Sequence, residues 1–109
     1  MMDESRYNQL VASLFKKLLA ALDEVDPDEA ETDATADMLT ITAANGEKCI
    51  VNTQRAVRQI WVAGTGQGIH FTYDERTGQW RDDKGRGLEV LAFVSEVVQD
   101  LTGHPLRYA

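Results

Sequence analysis

Between Ser5 and Val25 the apolar positions are Tyr7, Leu10, Val11, Leu14, Leu18, Ala21, Leu22 and Val25. That is the i, i+3, i+4, i+7 stripe of an amphipathic helix. Phe15 and Leu19 widen it, and no Gly or Pro interrupts it. Asp3 or Ser5 can cap its start, and Asp3 and Glu4 suit the positive end of the helix dipole. Pro27 cannot continue the helix, which is expected to end near it. The period then falls to two. Glu29-Ala30-Glu31-Thr32-Asp33-Ala34 alternates acid with small residue. As a strand it would turn its carboxylates to one side, although an acidic loop has similar composition.

Met38 to Ala44 is a β-branched run, and Asn45-Gly46 is the strongest short hairpin signal in the chain. Lys48 to Thr53 reads as the return strand and Gln59 to Ala63 as the next. Gly64, Gly66 and Gly68 read as a loop before a strand over Ile69 to Tyr73. Arg76-Thr77-Gly78 turns into a short strand around Trp80, and Asp82 to Gly87 is another loop. Helical spacing returns from Leu88 through Leu91, Val94, Val97, Val98 and Leu101, with Gly103 as a stop. Hairpin-length links exclude the crossovers of a parallel sheet. The expected fold is α+β: a two-layer sandwich with two terminal helices on one face of a roughly six-stranded antiparallel sheet. Residues 1–109 read as a single domain, since the chain is long enough for only one modest core.

Charge changes this picture. Residues 1–37 hold ten Asp or Glu against Arg6, Lys16 and Lys17, whereas residues 38–109 hold eight acids and eight bases. All of the net charge of −7 therefore lies in the first third. From Asp23 to Asp37 there is no Lys or Arg at all. Such a field repels nucleic acid and anionic lipid and attracts cations or a basic protein surface. No leader pattern and no membrane-length apolar run is expected to operate here. The lone Cys49 offers no disulfide or zinc spacing, which favours a reducing, cytoplasmic compartment.

The clustered carboxylates are hard oxygen ligands for Fe³⁺, Mn²⁺, Ca²⁺ or Mg²⁺. They lack EF-hand spacing, and no His or Cys closes a transition-metal site, so bound metal would be exposed, hydrated and salt-sensitive. A solvated face that aids solubility is the plain alternative. Strand alternation sends Gln59 and Trp61 to the face opposite Ile60 and Val62, where an exposed Trp is a typical binding anchor. The plain alternative there is a Trp packed against neighbours on a partly covered face. The glycine-rich Gly64 to Gly68 is followed by a strand, not a helix, which excludes a phosphate loop in favour of a flexible turn. His70 and His104 show no ligand spacing, although His70 could supplement a weak metal site. No nucleophile–base pattern is present, and no enzyme activity or organic cofactor is expected.

Over nearly its whole length the chain resembles the bacterial frataxins (the CyaY type). The matching pieces are the acidic end of the first helix, Leu39-Thr40-Ile41-Thr42 before Asn45-Gly46, Asn52-Thr53-Gln54, Gln59-Ile60-Trp61-Val62-Ala63, Gly68-Ile69-His70-Phe71 and Trp80. Ala56 stands where frataxins usually carry Pro, and Leu19 and Ala20 stand where relatives often have carboxylates. The resemblance implies an accessory protein of iron–sulfur cluster assembly. It would bind iron weakly, as Fe²⁺ or Fe³⁺, and dock on a cysteine desulfurase and its scaffold protein. The implied iron and docking surface is Asp3, Glu4, Asp23, Glu24, Asp26, Asp28, Glu29, Glu31, Asp33 and Asp37. Asn52, Gln54, Gln59 and Trp61 are the implied second contact. A monomer is expected, with iron-driven oligomers left open. The main rival is an acidic binding module or chaperone for a basic client, without a metal role.

Overall fold

A computed structural model describes residues 2–108. Helix α1 spans Glu4–Leu22 and helix α2 spans Val90–Thr102. Between them lie β1 Ala30–Ala34, β2 Met38–Ala43, β3 Lys48–Gln54, β4 Gln59–Gly64, β5 Gln67–Asp74 and β6 Gln79–Asp82. The strands form one six-stranded antiparallel meander in chain order. A short 3-10 turn, Arg55–Val57, links β3 to β4.

Asp3 is the N-cap of α1, accepting from the Arg6 N–H at 2.8 Å. The helix ends before Pro27, at Leu22, and Asp23 caps it. Helix α2 starts two residues later than the apolar pattern suggests. Leu88 lies before the helix, and Glu89, with an extended backbone, is the N-cap, its carboxylate accepting from Leu91 N–H (2.7 Å) and Ala92 N–H (3.2 Å). The stretch around Glu29 to Ala34 is a strand rather than a loop.

Alternation along the strands separates two faces. Leu39, Ile41, Cys49, Val51, Ile60, Val62, Ile69, Phe71 and Trp80 are buried against the helices. Tyr7, Val11, Leu14 and Leu18 of α1, and Val90, Phe93, Val94, Val97 and Val98 of α2, complete the core. Burying each such aliphatic or aromatic side chain is worth about 1.5–3 kcal/mol. Among the described residues, no helix lies on the opposite sheet face.

The glycine-rich stretch is a correction to the expected loop. Gly64 pairs with Gln67 and Ala63 with Gly68, which leaves only Thr65 and Gly66 as a tight two-residue turn. Both have positive φ, +50° and +78°, the geometry that matches strand twist in a hairpin. Gly64 is needed for another reason. A Cβ there would lie 2.6 Å from Val97 Cγ1, so its absence lets α2 approach β4.

Candidate metal and partner surface

The carboxylates of the first 37 residues do not form one cluster. Asp3 and Glu4 lie at the start of α1, and Asp23 caps its end, a helix length of about 28 Å away at 1.5 Å per residue. Asp23, Glu24, Asp26 and Asp28 occupy the exposed link between α1 and β1. Asp26 Oδ1 accepts from the Asp28 N–H at 2.9 Å, which folds this link on itself. Glu31 and Asp33 pair with Thr42 and Thr40, so they stand on the open sheet face. Ala30, Thr32 and Ala34 pair with the core-facing Ala43, Ile41 and Leu39 and turn to the helix side. The acidic surface therefore wraps one edge of the sheet.

Among the described residues, two of these carboxylates face a basic side chain. Glu29, just before β1, lies 3.5 Å from His104 Nε2 in the segment after α2. Asp37 accepts from Arg55 Nε (2.7 Å) and from Thr53 Oγ1 (3.0 Å). The Arg55 guanidinium, helped by that hydroxyl, holds the Asp37 carboxyl below its ordinary range. Arg55 also donates to Asn8 Oδ1, tying the 3-10 turn to α1. Among the described residues Asp23, Glu24, Asp26, Asp28, Glu31 and Asp33 have no ion-pair partner. Nor, among the described residues, are three His, Cys, Asp or Glu gathered so that they could hold a metal ion. Any cation here would be met by one carboxylate or two and would keep most of its water.

The open sheet face carries the second set. Register aligns Met38, Asn52, Trp61 and His70 in one row, and Gln54, Gln59, Thr72 and Arg81 in the next. All four expected contact residues thus lie on two adjacent rows. Trp61 is half-buried rather than fully exposed. Its indole stacks on His70, with centroids 6.2 Å apart and planes at 26°. It also lies over Gly68, where a Cβ would come within 3.1 Å of indole Nε1. Glycine and histidine together hold the ring in place, and it remains partly exposed. Gln59 Nε2 donates to Thr72 Oγ1 at 3.2 Å. From beneath, the buried Tyr7 hydroxyl donates to the Gln59 carbonyl at 2.7 Å. Burial raises the Tyr7 pKa. Arg55 and Arg58 guanidinium carbons lie 5.8 and 5.7 Å from the Tyr7 ring centroid.

Asp82 was not a sequence candidate, but it organises the loop after β6. Its buried carboxylate accepts from the backbone N–H of Arg86 and of Leu88, each at 2.8 Å, and of Lys84 at 3.1 Å. The Arg86 bond leads in lowering its pKa. An Asp two residues before the Lys84-Gly85 turn was the available signal. Cys49 is fully buried, and burial pushes its thiol up to about 12, which leaves it unreactive at neutral pH.

A family model described as a frataxin-like domain matches residues 1–104. The chain belongs to the frataxin-like family. It is 31% identical over 105 residues to the iron-sulfur cluster assembly protein CyaY of Pseudomonas fluorescens, covering 96% of this chain and 94% of that one. The namesake in Paraburkholderia phymatum is 32% identical over 108 residues, with 99% of each chain covered. Among solved structures, the frataxin of Psychromonas ingrahamii superposes with a TM-score of 0.85 at 28% identity, over 96% of both chains. The frataxin fold is thus common to both structures. In this frataxin-like chain the position of the expected family Pro, Ala56, lies exposed in the 3-10 turn. Among the described residues no helix is long and apolar enough to cross a membrane.

Proposed function

We propose that this chain is a non-enzymatic accessory protein of iron–sulfur cluster assembly in the cytoplasm. It docks on a cysteine desulfurase and its scaffold protein and presents weakly held iron to them as transient cargo. The observation that carries this reading is the set of six exposed carboxylates, Asp23 to Asp33, that lack an ion-pair partner among the described residues. The names of its curated relatives support the same role.

Each surface has a distinct physical task. Unpaired carboxylates steer a basic partner surface, raising the association rate and making binding fall with salt. Trp61, held by His70 and Gly68, supplies an apolar anchor that charge alone lacks. Asn52, Gln54 and Gln59 surround it with hydrogen-bonding groups on a rigid strand pair. Iron meets mainly Asp23, Glu24, Asp26, Asp28, Glu31 and Asp33. Asp37 would first have to leave Arg55, and Asp3 and Glu4 form a separate acidic patch on the same helix. Titration of ¹⁵N-labelled protein with Fe²⁺ under anaerobic conditions tests the iron assignment. Broadening confined to the amides of residues 23–33 is expected. No localised response at millimolar iron would overturn it and leave a docking surface only.

A further inference from the structure

Among the described residues, strand β1 pairs only with β2, so one of its edges faces outward. Hydrogen bonds at both ends of the pair set its parity. The Ala44 N–H donates to the Glu29 carbonyl (3.0 Å), and the Thr35 N–H donates to the Met38 carbonyl (2.8 Å). Odd-numbered residues of β1 therefore bond to β2, and alternation turns the N–H and C=O of Thr32 and Ala34 outward. The Ala30 N–H is taken by the Asp26 carbonyl at 3.2 Å. Among the described residues no hydrogen-bond partner meets the Thr32 or Ala34 N–H. Beside this edge runs an open groove of about 430 Å³, whose lining includes Leu19, Leu22, Val25 and Thr32 together with the acidic Asp23 and Glu31. A larger groove of about 980 Å³, sharing Leu19 and Asp23, continues along α1 past Phe15 and Val11.

We propose that the free edge of β1 accepts an extended basic segment of a partner protein as a seventh, antiparallel strand. This rests on the reading of the acidic edge as a docking surface and specifies how the partner is held. Residues opposite Thr32 and Ala34 exchange backbone hydrogen bonds with them and turn their side chains to the helix side, toward Leu19, Leu22 and Val25. These residues are small or apolar. The intervening residues share the open face with Glu31 and Asp33, and these are Lys or Arg. Charge selects this occupant over a second copy of the chain. Pairing β1 with another β1 would bring Glu31 and Asp33 of both copies together, and no Lys or Arg occurs between Leu18 and Glu47 to relieve them.

The probe is acetyl-Lys-Val-Lys-Val-Lys-Val-Lys-amide, compared with the same peptide N-methylated at each Val. N-methylation keeps the charge and removes the donors aimed at β1. The parent peptide is expected to bind at low salt, protect the Thr32 and Ala34 amides from exchange, and lose about tenfold or more in affinity on N-methylation. Ala34→Pro removes one outward N–H at an edge position that tolerates proline, and should weaken the parent peptide similarly. Equal affinity of the two peptides, with shifts spread over residues 23–33, would overturn strand addition and leave the docking surface intact. No binding of either peptide would overturn both.

Discussion

A single methyl group at position 64 probes how closely the helix layer lies on the sheet. Gly64 is buried at the end of β4 and is not among the residues with positive φ, so its backbone accepts alanine. On backbone entropy alone, Gly64→Ala would stabilise by about 0.4–1 kcal/mol. The new Cβ, however, would lie 2.6 Å from Val97 Cγ1, against about 3.5–4.0 Å for an unstrained carbon contact. Val97 is 1% exposed, and as a β-branched residue in a helix it has essentially one χ1 rotamer. It cannot turn away, so α2 must lift from β4. Overpacking of this kind costs about 1–3 kcal/mol; with Val97 unable to turn, the upper part of that range applies, about 2–3 kcal/mol. Subtracting an entropy gain of about 1 kcal/mol leaves a net destabilisation of roughly 1–2 kcal/mol. For a domain of this size that lowers the melting temperature by about 4–16 °C. Urea and thermal unfolding of Gly64→Ala, Val97→Ala and the double variant provide the assay. The double variant should be at least about 1 kcal/mol more stable than the sum of the singles. A Gly64→Ala protein as stable as the parent, or strictly additive variants, would refute the close approach.

Asp82→Asn should destabilise the protein at neutral pH. Because backbone donors depress the folded pKa of Asp82, its contribution is present above the unfolded carboxylate pKa and is lost as pH falls through the folded value. The gap between parent and variant in urea unfolding should narrow below about pH 4, and a constant gap would contradict this. Trp61→Ala should weaken docking on the desulfurase–scaffold complex about 30-fold while the amide spectrum remains folded. Unchanged affinity in a binding titration would sink that role. Asp23→Lys combined with Glu24→Lys should reduce iron loading and docking yet raise the melting temperature, since it relieves repulsion among unpaired carboxylates. A lower melting temperature would count against the repulsion argument.

Much of the architecture was legible because each element has its own period. The α1 stripe, the alternation through β2 to β5, and Gly103 at the end of α2 are local signals, and the structure follows them. The boundaries that differ depend on longer-range facts. Leu88 has helical spacing, but Arg81 bridges to Glu89, whose backbone is extended. Gly64 and Gly68 read as loop residues because nothing local shows that one lies under Val97 and the other under Trp61. The same division holds for the surface. The run from Asp23 to Asp33 is contiguous, so its acidity was plain from residue order. That Asp37 is engaged by Arg55, 18 residues on, follows from the pairing of β2 with β3. The support of Gln59 by Tyr7 spans 52 residues and needed the packed core to appear.

The most direct test of the central claim is the rate of cluster formation in a mixture of cysteine desulfurase, scaffold protein, Fe²⁺ and cysteine. The rate would be followed by visible absorbance with and without this chain. The parent protein is expected to change the rate saturably, and the effect is expected to be lost with Asp23→Lys/Glu24→Lys and with rising salt. A rate indifferent to the parent protein, or an equal effect from the charge-reversed variant, would contradict that claim.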